Sequence, residues 1–487
     1  MKYDVVIIGS GLGGLQCGYI LAKHGLSVCV LERTAILGGC LQTFKRGEAT
    51  FDTGFHYVGA LDEGQALHRL FSYFGLMQLP WVRMEEQFDL VTVNGHTHPF
   101  TQGYEGFYET LAKAFPSQRE NLKNYLAFLR QVGDHIFDSF QPREADQFYS
   151  TSLFARSAKA WLEETVTDPL LRDILAGTSL KMELSADLPL YTFAQINNSF
   201  IQSAWRLAGG GGQIADSLAE SIRRMGGEVR TRAEVDRLEE QDGRIAAAWV
   251  GEERIEADWF ISNAHPSVTL SLLKESAVIR KIYRRRIESL PNTFGMFTVN
   301  LRLKPNVLPA CKFNRYIYQD ADLWHYQAGK TDRILVNYYP EAGEYATRLD
   351  LLTPMLWGEV HPWASMPMGK RGQSYVEMKI EKTEACIRLA GRQIPELADA
   401  IERDYTSTPL SYEHYTKTAE GSAYGIRKDF NNPMGTVLTP KTPLPNLLLT
   451  GQNLNLHGIL GVSMTSFFTT AEILGMETVT NDLFKHE

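Results

Sequence analysis

The sequence predicts an α/β fold, and the beginning of the chain carries the clearest signs of it. Residues 4–8 (DVVII) form a short apolar run, typical of a strand buried on both faces. Residues 9–14 (GSGLGG) form a glycine-rich turn, and residues 15–24 have helical periodicity without proline. A second apolar strand is predicted at residues 26–31, and Glu32 stands at its end. Strand, turn, helix and strand in this order predict a parallel sheet covered by helices.

The spacing of the glycines predicts a dinucleotide site at this turn. Gly9 permits a tight bend, Gly11 lets a pyrophosphate approach the backbone, and Gly14 lets the helix pack against the strand. The helix N-terminus offers N–H groups and a partial positive charge to phosphates. Glu32 can accept hydrogen bonds from ribose hydroxyls and disfavours a 2′-phosphate. NAD and FAD both satisfy this pattern, and the alternative is a glycine-rich turn in another α/β protein.

A second glycine pair, Gly38-Gly39, favours FAD over NAD. An NAD dehydrogenase has no need of another close backbone approach so soon after the acid that binds the ribose. FAD does need one, because its pyrophosphate and ribityl chain run past this segment, and glycine is the residue that lets a backbone approach a ligand closely.

The length and composition of the chain limit the classes of function that it can have. A chain of 487 residues is too long for one ordinary core, and two or three structural domains are expected. The net charge of −8 argues against a nucleic-acid-binding protein. The five cysteines include no C-x-x-C pair, which excludes dithiol reductase chemistry and predicts neither disulfides nor a metal site. Without a signal peptide or an apolar run of about 18 residues, a cytoplasmic location is expected.

Four segments together resemble one family of flavoproteins. They are residues 9–14 (GSGLGG), 31–33 (LER), 37–39 (LGG) and 51–59 (FDTGFHYVG). This combination resembles the phytoene desaturase superfamily, and within it the branch of retinol saturases and carotenoid isomerases. The resemblance extends over nearly the full length and implies FAD as the cofactor. It implies a Rossmann-type, glutathione-reductase-like FAD domain that is discontinuous in sequence, with an α+β substrate or cap domain.

The two expected domains alternate along the chain. The FAD-binding domain is expected at residues 1–75, 205–275 and 436–487, and the substrate or cap domain at residues 76–204 and 276–435.

Four segments outside the dinucleotide motif of residues 4–32 refine these expectations. The glycine run at residues 209–212 follows no convincing strand, so no second dinucleotide unit is predicted. Residues 229–238 are predicted to form one strand. Residues 122–140 form an amphipathic helix, for which ordinary packing is favoured over a substrate tunnel or a membrane contact. Residues 355–368 form an aromatic and methionine-rich loop, which either packs in the core or suits an irregular lipophilic substrate.

The resemblance also implies which residues contact FAD. Main-chain atoms of Val235 meet the adenine, and Asn263 belongs to an S-N-A turn after a later strand. Gln452, where many relatives have aspartate, makes a neutral contact to the ribityl chain. A helix that opens at residues 458–462 stabilises negative charge near the flavin N1–C2 carbonyl. The implied contacts are Gly9, Gly11, Leu12, Gly13, Gly14, Glu32, Arg33, Gly38, Gly39, Val235, Asn263, Gly451, Gln452, Gly461 and Val462.

The sequence offers three catalytic candidates, His56, Tyr57 and Tyr424. His56 and Tyr57 lie in the segment that runs beside the flavin ring in the family, and a structural role for His56 is the alternative. Tyr424 lies in residues 420–425 (EGSAYG), which resemble a motif of the saturase branch. Other histidines, such as His457, stand isolated in the sequence, and no Ser-His-Asp spacing or metal cluster is apparent.

The function predicted from these features is that of an FAD-dependent oxidoreductase acting on CH–CH and C=C bonds. It would saturate, desaturate or isomerise a lipophilic polyene or isoprenoid-like substrate, with a hydride exchanged at flavin N5. With one dinucleotide fingerprint, electrons are expected to pass to or from a separate donor or acceptor, and peripheral membrane contact is expected for such substrates. A flavin amine oxidase on the same scaffold is one alternative. A non-catalytic lipid-binding protein, like the Rab GDP-dissociation inhibitors, is another.

Overall fold

The computed structural model describes residues 2–140, 147–320 and 322–485. The strands in these ranges are β1 (Lys2–Ile8), β2 (Val28–Leu31), β3 (Thr43–Arg46), β4 (Ala49–Asp52), β5 (Val58–Gly59), β6 (Trp81–Arg83), β7 (Gln87–Val93), β8 (His96–Thr101), β9 (Ala204–Leu207), β10 (Glu228–Arg230), β11 (Arg237–Gln241), β12 (Arg244–Val250), β13 (Glu253–Ser262), β14 (Gly295–Leu303), β15 (Asn314–Tyr318), β16 (Arg333–Tyr338), β17 (Arg348–Met355), β18 (Ile401–Ser407) and β19 (Leu447–Leu449).

The α-helices in the same ranges are α1 (Leu12–Lys23), α2 (Ala66–Tyr73), α3 (Tyr104–Ala114), α4 (Arg119–Asp134), α5 (Gln147–Phe154), α6 (Ala158–Thr165), α7 (Pro169–Ala176), α8 (Leu190–Gln202), α9 (Gly212–Arg224), α10 (Pro266–Ser271), α11 (Lys281–Glu288), α12 (Trp357–Val360), α13 (Gln373–Gly391), α14 (Leu397–Ala400), α15 (Pro409–Thr416), α16 (Pro433–Thr436), α17 (Gly458–Leu474) and α18 (Met476–Phe484).

The first sheet joins strands from both ends of the chain. Its order is β10-β2-β1-β13-β12-β11, and β19 also pairs with β13. Neighbours among β10, β2, β1, β13 and β19 are parallel, whereas β11 and β12 form an antiparallel extension. Because parallel strands end at the same edge of a sheet, the loops after β1, β2 and β19 open on one side. This is the Rossmann-type α/β arrangement that the sequence predicts.

The apolar sequence of β1 places its side chains in two cores. Val5 and Ile7 pack in one core with residues of α1, α9 and α17. Val6 and Ile8 pack in a second core with residues of β11, β13 and β19. Burial of each such side chain contributes roughly 1.5–3 kcal/mol, so the strand is anchored from both sides and its end, where the glycine turn starts, is fixed.

The second sheet has the order β18-β14-β17-β16-β15-β7-β8. β7 and β15 are parallel, and the other neighbours are antiparallel. One face packs against the helices between α3 and α8, and the other packs against α13. In the β7–β8 turn, Asn94 and Gly95 have φ angles of 49° and 85°, as a type I′ hairpin turn requires. The fold is therefore an α/β nucleotide-binding part combined with an α+β part, as predicted.

Residues 229–238 do not form the single strand that the sequence predicts. The chain leaves the first sheet after β10 and re-enters it at β11. Between the two strands Arg232 has a φ of 55°, and the Ala233 amide donates to the Glu32 carbonyl at 2.8 Å. These two features hold the intervening segment across the end of β2.

The glycine run at residues 209–212 does follow a strand, β9, contrary to the sequence prediction. However, β9 pairs antiparallel with β5 and β6 in a separate sheet of three strands. This glycine run therefore does not begin a second βαβ unit.

Two further segments differ in detail from their predictions. The amphipathic helix predicted at residues 122–140 ends as α4 at Asp134, and its apolar side chains pack in the core with those of α8. Ordinary packing, the favoured interpretation, is therefore correct. Residues 355–368 are a loop only in part, because they contain α12 and a 3-10 helix (His361–Trp363). Across the described ranges, the helices are too short or too polar to cross a membrane.

Candidate active site

A cavity of about 680 Å³ opens beside the ends of β1, β2 and β19 and extends to the second sheet. Thirteen of the fifteen predicted cofactor contacts line it, together with the three catalytic candidates. Gly14 and Gly461 do not line the cavity. Each lies behind the residues that do, at a place where two backbone segments approach each other closely. A Cβ atom at Gly14 would stand 2.1 Å from the Gly9 carbonyl oxygen, and one at Gly461 would stand 2.4 Å from the Leu456 carbonyl oxygen.

The glycine turn after β1 forms a cradle of main-chain atoms. Gly9 has a φ of 94°, which favours glycine. Helix α1 then begins at Leu12 without a side-chain cap. The free N–H groups of its first turn therefore lie at the cavity, as a bound phosphate requires.

Glu32 lies at the end of β2 with its carboxylate buried against the cavity. Its Oε2 accepts from the Ser10 amide at 3.1 Å and the Ser10 hydroxyl at 2.7 Å. Its Oε1 accepts from the Thr34 amide at 2.9 Å and the Thr34 hydroxyl at 3.0 Å. The two hydroxyls can rotate away, so the carboxylate is oriented in advance and can still accept from a ribose.

Main-chain segments flank Glu32 on either side. The loop that contains Val235 is fixed beside it and lines the cavity. Arg33 also lines the cavity, and its guanidinium donates to the His414 carbonyl, which ties the loop after β2 to α15.

Asn263 clamps the two ends of the chain together. Its side chain fills the space that Cβ atoms would otherwise take at three glycines. Such atoms at Gly11, Gly13 and Gly451 would stand 2.4, 2.8 and 2.5 Å from its side-chain amide. The main-chain amide of Asn263 donates to the Ile8 carbonyl at 2.9 Å. The predicted contact at Asn263 thus has a clear structural function.

The second glycine pair brings another backbone segment to the cavity. Gly38 and Gly39 have φ angles of 105° and 56°. The Gly38 amide donates to the Ser10 carbonyl at 3.1 Å, and a Cβ atom at Gly39 would lie 3.5 Å from the Gly11 Cα. Two glycine-rich segments therefore run side by side along the wall, which fits an extended dinucleotide.

The C-terminal strand supplies the next part of the wall. Gly451 and Gln452 follow β19, and α17 begins at Gly458 without a side-chain cap. Val462, near the start of α17, lines the cavity. This second uncapped helix N-terminus can stabilise negative charge, as expected beneath a flavin. The donors of both helices and the two glycine segments thus fit FAD.

His56 is partly buried in the cavity wall. Among the described residues its Nδ1 has no hydrogen-bond partner. Burial, and secondarily the nearby Arg206, lower the pKa of His56 to about 4. The imidazole is therefore neutral near pH 7 and has an unsatisfied polar atom at the cavity.

The Tyr57 hydroxyl belongs to a buried polar cluster. It donates to Asp89 Oδ2 at 2.8 Å and lies 2.6 Å from the Tyr316 hydroxyl. Lys181 Nζ donates to the same Asp89 oxygen at 3.0 Å and lies 3.9 Å from the centroid of the Phe200 ring. Burial lowers the pKa of Lys181, and Asp89 offsets part of that effect. Burial, followed by the Asp89 charge, raises the pKa of Tyr57 well above its ordinary value.

Sequence reasoning missed Lys181, Asp89 and Tyr316. Each comes from a different element, and a buried lysine or aspartate in one segment has no local pattern that marks it. Asp89 and Tyr316 come together because β7 and β15 pair in parallel across more than two hundred intervening residues, and Lys181 reaches Asp89 from a 3-10 helix (Ser179–Lys181).

Tyr424 and His457 pack together, so the prediction that His457 is isolated is wrong. Their ring centroids lie 4.5 Å apart, and both line the cavity. The Tyr424 hydroxyl donates to the Leu180 carbonyl, and His457 Nε2 lies 3.3 Å from the Lys181 carbonyl. Burial lowers the pKa of His457 to about 4 and raises that of Tyr424. Together these rings hold the main chain that presents Lys181.

Comparison with known proteins places this geometry in a family. The family model described as flavin containing amine oxidoreductase matches residues 12–457. The all-trans-retinol 13,14-reductase of Rattus norvegicus is 28% identical over 527 residues, which cover 97% of this chain and 86% of that protein. The 4,4′-diaponeurosporene oxygenase of Staphylococcus aureus (strain Mu50 / ATCC 700699) is 25% identical over 287 residues, which cover 54% and 56%.

Solved structures share the fold. Cyclohexylamine oxidase from Brevibacterium oxydans matches with a TM-score of 0.61 at 15% identity, over 99% of this chain and 100% of its own. The family match favours an enzyme over the non-catalytic lipid-binding alternative. The chain belongs to the flavin containing amine oxidoreductase family, and it is an FAD-dependent oxidoreductase.

Proposed function

We propose that the protein changes the saturation or the geometry of carbon–carbon double bonds in a lipophilic polyene or isoprenoid-like substrate. The observation that carries this proposal is the similarity, along 97% of the chain, to a protein named all-trans-retinol 13,14-reductase. The shorter similarity to a 4,4′-diaponeurosporene oxygenase favours the same substrate class. Ile196, Phe200, Leu335 and Leu456 give the cavity an apolar wall that suits a hydrocarbon chain.

In this proposal FAD lies along the glycine-rich half of the cavity. Glu32, Arg33 and Val235 flank the adenosine, and the turn at residues 9–14 with the N-terminus of α1 holds the pyrophosphate. Gly38-Gly39, Asn263 and Gly451 keep the backbone close to the chain of the cofactor. Gln452 contacts the ribityl group, and Gly461 and Val462 belong to the helix start beneath the flavin ring.

Bound FAD supplies hydride chemistry at its N5 atom. The side chains around it orient the substrate and control protons. His56 remains the candidate for proton transfer, because its Nδ1 is free among the described residues and its ring is neutral. Tyr57 and Tyr424 act by positioning, since their hydroxyl protons are already donated to Asp89 and to the Leu180 carbonyl.

An amine substrate fits the cavity less well. Where the cavity meets the second sheet, Lys181 and Arg206 are buried cations. Asp89 already accepts hydrogen bonds from Tyr57, Lys181 and Asn314. A protonated amine would therefore enter a region of like charge without a free carboxylate to receive it.

We propose that electrons reach or leave the flavin through a separate donor or acceptor. Within the described ranges, the second glycine run follows an antiparallel strand and does not form another dinucleotide unit. In an isomerisation, no net electron supply is needed. Saturable oxidation of NADPH by the purified protein alone would contradict this part of the proposal.

We place peripheral membrane contact at an exposed apolar patch formed by Met366, Met368 and Tyr415, which are 41%, 50% and 46% exposed. Tyr415 lines the cavity and donates to the Met368 sulfur at 3.5 Å. A lipid surface here would adjoin the cavity. The double variant M366S/M368S should sediment less with phosphatidylcholine–phosphatidylserine vesicles, whereas I282S on α11 should not change binding. Equal sedimentation of all three proteins would refute the location.

The test of the catalytic proposal is an anaerobic incubation of purified holoenzyme, oxidised or photoreduced, with a panel of polyenes and amines. Products are analysed by mass spectrometry and chromatography. We expect loss or gain of one H₂, or a changed double-bond geometry, in a polyene. Flavin reduction by amines with no change in any polyene would instead establish the amine oxidase alternative.

A further inference from the structure

Positive charge is concentrated where the cavity meets the second sheet. Lys181 has a side-chain exposure of 6% and Arg206 an exposure of 2%. Among the described residues, Asp89 is the carboxylate whose charge acts on both. Two buried cations thus share one carboxylate, which leaves an excess positive charge in an otherwise apolar and aromatic region.

Asp89 carries a single negative charge, so it cannot compensate both cations. Its Oδ2 accepts from Tyr57 and Lys181 at 2.8 and 3.0 Å, and its Oδ1 accepts from Asn314 at 3.2 Å. Arg206 is turned away from the cavity, donating to the Cys311 and Phe313 carbonyls and to Asn314. A bound molecule that enters the cavity could supply the second negative charge.

Lys181 is the group that can receive such an anion. It lines the cavity, and an ammonium group has three N–H donors, of which one is directed to Asp89. The rings of Phe200, Tyr57 and Tyr316, which also line the cavity, lie beside it, with centroids at 3.9, 5.0 and 5.6 Å. An ammonium held among rings is partly desolvated, so a hydrogen bond from it to an oxygen of a ligand is strong.

We propose that Lys181 binds the oxygen-bearing end of the substrate, and that the substrate is a polyene or isoprenoid with a terminal carboxylate. This inference rests on the proposed function and deepens it by naming the substrate class. A carboxylate accepts from Lys181 and neutralises the excess charge. A plain hydrocarbon does neither, and a neutral ester can only accept the hydrogen bond.

The experiment measures binding of two matched probes to the oxidised holoenzyme. They are all-trans-retinoic acid and its methyl ester, followed by quenching of tryptophan fluorescence. The wild-type protein should bind the acid at least about tenfold more tightly than the ester. In Lys181→Met, acid binding should weaken roughly 10- to 100-fold, as expected for loss of a hydrogen bond to a charged group, and ester binding should change by about twofold or less.

Two controls separate recognition from folding. Lys181→Met leaves Asp89 buried and unpaired, so K181M/D89N, which removes both charges, should fold and show the same loss of acid binding. The matched control is Lys382→Met with Glu359→Gln. It removes another buried lysine–carboxylate pair, with 3.5 Å between the charged atoms and exposures of 7% and 12%, and should keep the acid preference.

Equal affinity of the wild-type protein for acid and ester overturns the inference. Unchanged acid binding in K181M/D89N also overturns the inference. This includes a variant in which only the reduction potential of the flavin changes, because the excess positive charge would then act on the cofactor and not on the substrate. Turnover of a hydrocarbon polyene with no binding of either probe overturns the inference but keeps the proposed function. Failure of the whole polyene panel overturns the proposed function itself.

Discussion

The two ends of the cavity are built by different means. At the glycine-rich end, three glycine-containing segments and two uncapped helix N-termini form most of the wall, and Glu32 and Asn263 contribute side chains. At the end near the second sheet, the wall consists of side chains from Tyr57, Lys181, Tyr316, Tyr424 and His457. A cofactor that is the same throughout a family can be held by main-chain atoms. Substrates differ between members of a family, so their recognition requires side chains.

This difference decides how mutations should act. Backbone cradles fail when a side chain is added, because there is no space for it. Side-chain clusters fail when one member is removed, because its partners remain buried and unsatisfied. The two ends should therefore respond to opposite kinds of substitution.

The largest expected effect on cofactor binding is loss of FAD from the glycine-rich end. Gly14→Val would place a Cβ atom 2.1 Å from the Gly9 carbonyl oxygen and push α1 away from β1. Overpacking of this kind costs about 1–3 kcal/mol, so FAD affinity should fall by about tenfold or more. The measurement is the visible absorption of the purified protein titrated with FAD. Gly25→Asn, at a glycine with no atom within 4 Å of its Cβ position, should keep wild-type affinity.

The second effect is destabilisation of the side-chain end. Asp89→Ala leaves Lys181 buried without its carboxylate and removes acceptors from Tyr57 and Asn314. Breaking a buried pair in this way costs about 3–5 kcal/mol, measured by urea unfolding with FAD present. Asp258→Ala, at an exposed pair with Lys2, should cost less than about 1 kcal/mol. If Asp89→Ala lowered the free energy of unfolding no more than Asp258→Ala does, Asp89 would not hold a buried polar cluster together.

Sequence alone could predict much of the glycine-rich end. The roles of Gly9, Gly14 and Glu32 can be predicted from their spacing in the sequence, because the turn, the helix and the strand that contain them follow one another directly. The same local patterns predicted a parallel α/β unit with a dinucleotide site, Gly38-Gly39 favoured FAD over NAD, and the family resemblance implied the Rossmann-type FAD domain. The finer assignments of Val235 and Gln452 to parts of the cofactor stay predictions.

The side-chain end could not be predicted in the same way. Lys181 lies on a 3-10 helix and Asp89 on β7, more than ninety residues earlier, and neither residue has a motif of its own. His457 looked isolated for the same reason, since its contact with Tyr424 joins two loops. The family motif pointed to Tyr57 and Tyr424 but could not reveal that their hydroxyls already have partners.

The third effect is a pH dependence at the junction between the two regions. Asp52 accepts from the Gly211 amide at 2.7 Å, and its own amide donates to Tyr339, whose hydroxyl donates to Asp350. Burial raises the pKa of Asp52 to about 7. The folded protein thus keeps a proton that the unfolded chain releases near pH 4, so this group makes stability fall as pH rises from about 4 to 7.

The variant Asp52→Asn should remove that contribution. Its free energy of unfolding relative to the wild-type value should increase as pH rises through this window and level off above it. The measurement is urea unfolding at a series of pH values. A constant difference between the two proteins at all pH values would show that Asp52 is not buried as a proton-bearing acid.

The smallest expected effect is at Tyr424. Tyr424→Phe removes the hydrogen bond to the Leu180 carbonyl but keeps the ring against His457. We expect a loss of about 1 kcal/mol in unfolding free energy, unchanged FAD affinity and weaker substrate binding. Loss of FAD in this variant would show that the two ends of the cavity are not separate in function.

The most direct test of the proposed activity is the spectrum of the photoreduced holoenzyme after anaerobic mixing with an all-trans polyene acid. We predict that the oxidised flavin bands return while the polyene absorption moves to shorter wavelength, because one double bond leaves the conjugated system. A polyene spectrum that stays unchanged in both the reduced and the oxidised enzyme, with an amine reducing the flavin, would contradict it.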